Sequence, residues 1–294
     1  MKKITQKEKT TLFNFIERNL NMSSSDLDEG IGTVYERIVI DDYFREIQKK
    51  YNITSVLESP ADGVTGVPGL NSLEFARNGA KVFLTNPSLK MLDNALLVWK
   101  KNNLESLVEF HKTPVDELPF EDDSFDLVWN YCMFERFEYP EVLIEELKRV
   151  SKKYVMIMTQ NFWNLGTFVH WLFHKYHKLE WDHGHTKFMT FKGIKKIVRK
   201  TGLKIIEEGT IDTPPWMDTW DMPLRGEIKT ILTPLGFKWE WKIDEQSEKK
   251  GEKNTSAISF FANIERYLPK WFNRSQTHHL YVLCEIDKTD SQNG

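Results

Sequence analysis

A single stretch constrains this chain most: VLESPADGVTGVPGLNSLEFARNGAKVFLTNPS, residues 56 to 88. A β-rich run from Thr54 to Glu58 feeds a loop punctuated by Gly63, Gly66 and Gly69. A short helix follows and closes at Asn78-Gly79, and a second apolar run from Lys81 to Thr85 ends at Asn86-Pro87. That succession is strand, tight loop, helix, strand. Glycine has no Cβ, so such a loop turns sharply and lets a ligand approach its backbone. A helix beginning just after Gly69 would aim its free N–H groups into the same crevice, at the carboxyl end of the first strand, where open α/β sheets take ligands. Taken alone, the same glycines also describe a surface turn.

The rest of the chain repeats the alternation. Ser88 can cap a helix in which Leu89, Leu92, Leu96 and Trp99 form a stripe, with Lys100-Lys101 suited to its C-terminal end. LVEFHKT (107 to 113) reads as the third strand, and SFDLVWN (124 to 130), after the turn-rich EDDS, as the fourth. Pro140 opens a helix with Val142, Leu143, Leu147 and Val150 inward, and YVMIMTQN is the fifth strand. The helix Phe191 to Lys200, with Ile194, Ile197 and Val198 inward, stops at Gly202, before LKIIEEGTID and, much later, HLYVLCEI as strands six and seven. Right-handed crossovers between such strands make an α/β fold with a doubly wound sheet.

With Glu58 ending the first strand, Asn86-Pro87-Ser88 the second, and LPFEDDSFDLVW (118 to 129) leading into the fourth, the chain resembles a class I S-adenosylmethionine-dependent methyltransferase. The resemblance runs from about Ile53 to Asp212 and resumes at His279 to Ile286. It implies an antiparallel last strand and a seven-stranded, Rossmann-like, mostly parallel sheet of order 3-2-1-4-5-7-6. It also implies that S-adenosyl-L-methionine, or its demethylated product, binds among Glu58, Asp62, Gly63, Gly66, Asn86, Pro87, Val115, Asp116 and Asn130. Val115 and Asp116 or Glu117 would read the adenine edge, and Asn130-Tyr131-Cys132-Met133 would sit beside the methyl group and acceptor. Two departures stand out. The family's E/D-x-G-x-G-x-G gives way to Pro60, Asp62 and Val64 with glycines three apart, and Asn86 replaces the acid that usually grips the ribose, a role Asp62 can share. The N-P-P-Y motif of many amino-group methylases is absent.

The predicted organisation is a helical segment 1–51, a core 52–212, an insertion or cap 213–277, the last core strand 278–288 and a tail 289–294. In the first segment Phe13, Ile16 and Leu20, then Val34, Ile38, Phe44 and Ile47, recur at helical spacing. Either these helices simply pack beside the sheet, or Tyr35 and Arg37 close over the cofactor. In the cap, Phe260, Phe261, Ile264, Leu268 and Trp271 are predicted on one helical side.

Composition narrows the partners. A net charge of −3 gives no basic field for nucleic acid or anionic membranes. Two distant cysteines, Cys132 and Cys284, suit a reducing, cytoplasmic setting, and no apolar run is long enough to span a bilayer. A small-molecule acceptor is expected, with no nucleic acid and no stable membrane insertion.

Residues 162 to 189 concentrate aromatics and histidines, and read best as a helical lid over an apolar or aromatic acceptor. His170 and His174, four apart, share a helical face and could ligate a metal. No Cys or Glu joins them at a zinc-like spacing and lysines interleave the cluster, so no metal is expected. Methyl transfer from a sulfonium is an in-line displacement that positioning accelerates. Where the acceptor arrives protonated, His185 is the first catalytic base expected, from its ordinary pKa near neutrality, and Glu135 the second. A non-catalytic relative binding a ligand or partner, and a nicotinamide-dependent oxidoreductase, are the alternatives.

Overall fold

The computed structural model describes residues 5–6, 28–29, 31–61, 68–181, 183–213, 241–242, 260–265 and 267–287. Seven strands form one sheet: β1 (Ser55–Glu58), β2 (Lys81–Asn86), β3 (Val108–Lys112), β4 (Phe125–Tyr131), β5 (Ser151–Gln160), β6 (Lys204–Ile211) and β7 (His279–Glu285). Their order is β3-β2-β1-β4-β5-β7-β6. All neighbours are parallel except β7, which runs antiparallel to both β5 and β6. The predicted sheet is therefore the observed one.

Strand side chains alternate between two buried layers, as the pleat requires. Val56, Leu127, Trp129, Met156 and Met158 face one layer; Leu57, Phe125, Val128, Val155 and Ile157 face the other. The first layer is closed by α1 (Ile31–Tyr51), α2 (Leu73–Arg77) and α3 (Leu89–Lys101). Tyr35, Val39, Ile40, Phe44 and Ile47 of α1 are buried at helical spacing, and the Phe44 ring stacks on Phe75 at 4.4 Å and meets Trp129 edge-on at 4.9 Å. The second layer is closed by α4 (Pro140–Val150) and α6 (Phe191–Lys200). Between these two helices, α5 (Leu165–His177) starts at Asn164, whose side-chain oxygen accepts from the N–H groups of Gly166 and Thr167. The Asn164 amide in turn donates to the Gln276 carbonyl at 2.6 Å, fastening the helix start to the residues before β7. None of the described helices is long and apolar enough to cross a membrane.

Three expectations need correction. The helix after the glycine loop begins at Leu73, not just after Gly69; residues 68–72 form turns, and Gly69 takes a positive φ of 71° with Leu84 packed where a Cβ would lie. The buried face of α3 is Met91, Leu92, Ala95, Val98 and Trp99, with Leu89 exposed. The cap stripe does not hold either. Pro269, which has no N–H to continue a helix, separates the helical residues 260–265 from α7 (Lys270–Gln276). Phe260 and Trp271 are exposed, and the buried side chains are Ala262 and Glu265. The first predicted helix around Phe13 to Leu20 lies outside the described residues.

Candidate active site

Parallel strands bring their carboxyl ends to one edge of the sheet, and the polar side chains there fall into two groups. The first lies around β1 and β2. Glu58 is buried, and its Oε2 accepts from the Ser72 hydroxyl at 2.6 Å, which itself accepts from the Trp129 indole N–H at 3.0 Å. Asn86 is buried as well: its amide donates to the Ala61 carbonyl at 2.6 Å and its oxygen accepts from the Ser88 N–H at 2.7 Å. Asn130 ties β4 back to β1 by donating to the Ser59 carbonyl at 2.8 Å, and its oxygen accepts from the Phe134 N–H at 3.0 Å. The turn after β3 carries Val115, buried, and Asp116, half-buried; Pro87 is half-buried beside Asn86. Asp62, Gly63 and Gly66 lie outside the described residues.

The second group lies beyond β4. Glu135, in the 3-10 turn Phe134–Arg136, is fully buried. Its Oε1 accepts from the Gln160 N–H at 3.2 Å, and its Oε2 has no hydrogen-bond partner among the described residues. Burial raises its pKa, against the charge of neighbouring Arg136. The segment from His183 to His185 lies over it. The His185 N–H donates to the Glu135 carbonyl at 2.7 Å, and Gly184, at φ 102°, packs so closely that a Cβ would stand 2.8 Å from Glu135 Cγ. The His185 ring itself is exposed. The structure thus brings the two expected bases into one place through backbone contact.

Further along the same edge, Asp212 follows β6 and His278-His279 open β7. His278 Nδ1 is 2.8 Å from Asp212 Oδ2, and His279 Nδ1 is 3.6 Å from it. On its other side the His279 Nε2 is hydrogen-bonded to the Tyr131 hydroxyl at 3.2 Å. Burial opposes the Asp212 charge, but His278 and then His279 outweigh it and hold the carboxyl low; burial lowers His279. Beside them the Tyr35 hydroxyl donates to Glu265 Oε2 at 2.7 Å, and the Thr213 N–H donates to the same oxygen at 2.9 Å. Burial pushes Glu265 up to about 7. Tyr35 therefore points inward to the cap residue Glu265, while Arg37 pairs with Asp41 on its own helix.

Residues 64–158 match a family model described as a methyltransferase domain. With the seven strands in the order given above, this decides the fold. The chain has the class I S-adenosylmethionine-dependent methyltransferase fold. Among solved structures it is similar to the geranyl diphosphate C-methyltransferase of Streptomyces coelicolor A3(2), solved with Mg2+, geranyl diphosphate and S-adenosyl-L-homocysteine. The two are 12% identical, covering 93% of this chain and 97% of that one, with a TM-score of 0.52. It is likewise similar to the MccD protein, at 15% identity over 84% and 96% of the chains, and to the [4+2]-cyclase SpnF, at 14% over 83% and 80%, both with a TM-score of 0.52. No curated protein sequence matches the chain.

A methyltransferase fold that also serves a cyclase leaves the reaction to be argued from side chains. Sequence reasoning singled out Glu135 and His185 of this methyltransferase-fold chain and set Tyr131 beside the acceptor, but passed over His279, Asp212 and Glu265. The available signal was positional: the ends of β4 and β6 and the start of the antiparallel β7 all meet at the carboxyl edge.

Proposed function

We propose that the chain is an S-adenosylmethionine-dependent methyltransferase acting on a small, apolar or aromatic acceptor that gives up a proton, with Glu135 taking that proton. One observation carries this reading. Glu135 is a fully buried carboxyl just past the carboxyl end of β4, with a raised pKa and one oxygen that no described group satisfies. A carboxylate held above its ordinary range next to a ligand crevice is suited to general base work. The cover formed by His183 to His185 would have to shift for an acceptor to reach it. His185 is the second candidate for the role.

The residues fit the cofactor as a frame. Glu58 and Asn130 brace the crevice from inside, and the turn at Val115 and Asp116 borders it beyond β3. Asn86, with both ends of its amide already bonded to Ala61 and Ser88, offers the ribose little. When bound, S-adenosylmethionine supplies an electrophilic methyl group on a sulfonium sulfur. The protein's own contribution is to orient the acceptor, exclude water and hold the released proton at Glu135 Oε2.

A second reading, ligand binding without turnover, is favoured by the closed Asn86. Calorimetry with S-adenosylhomocysteine and with NAD, followed by methyl transfer from labelled S-adenosylmethionine to a panel of phenols and other apolar acceptors, tests both. Saturable S-adenosylhomocysteine binding with transfer supports the proposal. Binding with no transfer to any acceptor favours the second reading, and NAD binding alone overturns both.

A further inference from the structure

Three imidazoles that the proposed reaction does not use converge at α5. His170 and His174 lie one turn apart on this helix, which ends at Lys178 in a left-handed conformation, φ 55°. The chain then turns back and brings His183 to them. Ring nitrogens of all three lie within 4.8 Å of one another, and His170 Nε2 is 3.3 Å from His183 Nε2. Two nitrogen ligands of a tetrahedral zinc ion, at bonds of about 2.0–2.1 Å, stand roughly 3.3–3.4 Å apart. A hydrogen bond between two rings gives a similar spacing, but it does not call for a third imidazole.

The surroundings are those of a built site. His174 Nδ1 is 2.7 Å from the Glu180 carbonyl, so that nitrogen carries the proton and the lone pair stays on Nε2. Backbone partners of this kind fix the tautomer of ligating histidines. The Trp181 ring lies 4.7 to 5.9 Å from all three imidazole centroids and forms one wall. Its indole N–H donates to the Gly184 carbonyl at 2.8 Å, and the His185 N–H bonds to Glu135, so both flanks of His183 are held.

We propose that His170, His174 and His183 bind one divalent transition-metal ion of the zinc class, and that the ion clips α5 to the segment covering Glu135. Neutral imidazole donors suit zinc, cobalt, nickel and copper ions rather than magnesium or calcium. Three protein ligands leave a fourth tetrahedral position for water or a ligand.

The test uses the purified full chain, stripped with chelator and titrated with Zn(II) by calorimetry and with Co(II) by visible absorption. One ion per chain is expected, with the intense bands of tetrahedral Co(II). His183→Ala and, as a gentler change, His183→Gln should each weaken Zn(II) binding about tenfold or more while circular dichroism stays unchanged. His177→Ala, on the same helix but outside the cluster, should bind as the parent does. Zn(II) should also slow amide exchange from Leu179 to His185 in the parent and not in His183→Ala. An absent titration, an octahedral Co(II) spectrum, or equal Zn(II) affinity in both His183 variants and the parent would overturn the proposal.

Discussion

The two halves of the sheet's carboxyl edge treat buried polar groups in opposite ways. Around β1 and β2, the side chains of Glu58, Asn86 and Asn130 are bonded to Ser72, Ala61, Ser88, Ser59 and Phe134. Beyond β4, the Glu135 Oε2, Thr159 Oγ1, Asp212 Oδ1 and Thr213 Oγ1 atoms are buried with no close hydrogen-bond partner among the described residues. A buried polar atom left without a partner costs about 1–3 kcal/mol. In the first half the side chains of Glu58, Asn86 and Asn130 are a finished frame, bonded to their own surroundings, with Asp116 Oδ1 at its border the exception. The second half holds polar atoms in readiness, the usual sign of a place where a further molecule completes the bonding.

The sharpest way to break this comparison is to neutralise the centre of the second half. Glu135→Gln keeps the shape and removes the proposed proton acceptor, so turnover should fall about 10²-fold or more, while S-adenosylhomocysteine affinity, which the proposal assigns to the first half, should stay unchanged. Steady-state rates and calorimetry on the same preparation separate the two effects. Equal turnover in the variant would return Glu135 to a packing role and shift attention to His185, for which His185→Ala is the matching measurement.

The acid–base character of the second half should also show in stability. Glu265 rises from its ordinary 4.5 to about 7 in the folded chain. A folded state that prefers the neutral carboxyl gains stability below the unfolded value and loses it as pH climbs through the folded one, so this group makes the protein less stable from about pH 4.5 to 7. His279 is shifted down and works in the opposite sense, favouring the folded state at the higher pH. The informative quantity is therefore the parent minus Glu265→Gln difference in urea stability, which should grow against the parent as pH rises across that window. A flat difference would mean the Tyr35 and Glu265 pair is not buried as described. Asp126, held down to about 2 because Thr54 and Lys153 outweigh its burial, acts only below this range.

Smaller effects contrast one hydroxyl from each half. Ser72→Ala takes away the group that links the Trp129 indole to Glu58, and should cost about 1–3 kcal/mol in urea denaturation. Thr159→Val removes a buried hydroxyl that lies beside the Glu135 carboxyl without a close partner, and should cost less than Ser72→Ala. Equal costs for the two would erase the distinction between a finished frame and a reserved site.

How much of this could be read in the sequence follows from the range of the interactions. The strands were legible because each announces itself locally, through apolar runs such as YVMIMTQN bounded by turn residues, whereas their order and the antiparallel last strand came from the resemblance to the methyltransferase family. Helix faces were less so: the 3.6-residue period around Leu89 admits a stripe one residue out of step, and Pro269 outweighs the periodicity of the cap. Glu135 was found because it follows a recognisable strand, and His185 because an imidazole titrates near neutrality and this one lies just before the helix at Phe191. The Tyr131, His279 and Asp212 group comes from three strand ends far apart in the chain, and His183 joins His170 and His174 only through the turn at Lys178. Neither leaves a local pattern.

The smallest expected effect concerns the segment 162 to 189, proposed as a lid. Trp163 is 60% exposed and Tyr176 83%, and Leu165, Val169, Leu172 and Phe173 of the same element are exposed beside them. Trp163, Phe168 and Trp171 form a row of near-parallel rings at spacings of 6.3 and 6.0 Å. Aromatics so placed cover one another only in part, which leaves area for an apolar acceptor. Because Trp163 is mostly exposed and phenylalanine keeps an aromatic ring against Phe162 and Phe168, Trp163→Phe should change stability by less than about 0.5 kcal/mol. Yet the substitution should reduce the saturable fluorescence quenching produced by a hydrophobic acceptor in the presence of S-adenosylhomocysteine. Efficient turnover of a polar metabolite, with every apolar candidate silent in both proteins, would show that the row of rings is surface packing and that the acceptor is chosen by the polar atoms of the second half alone.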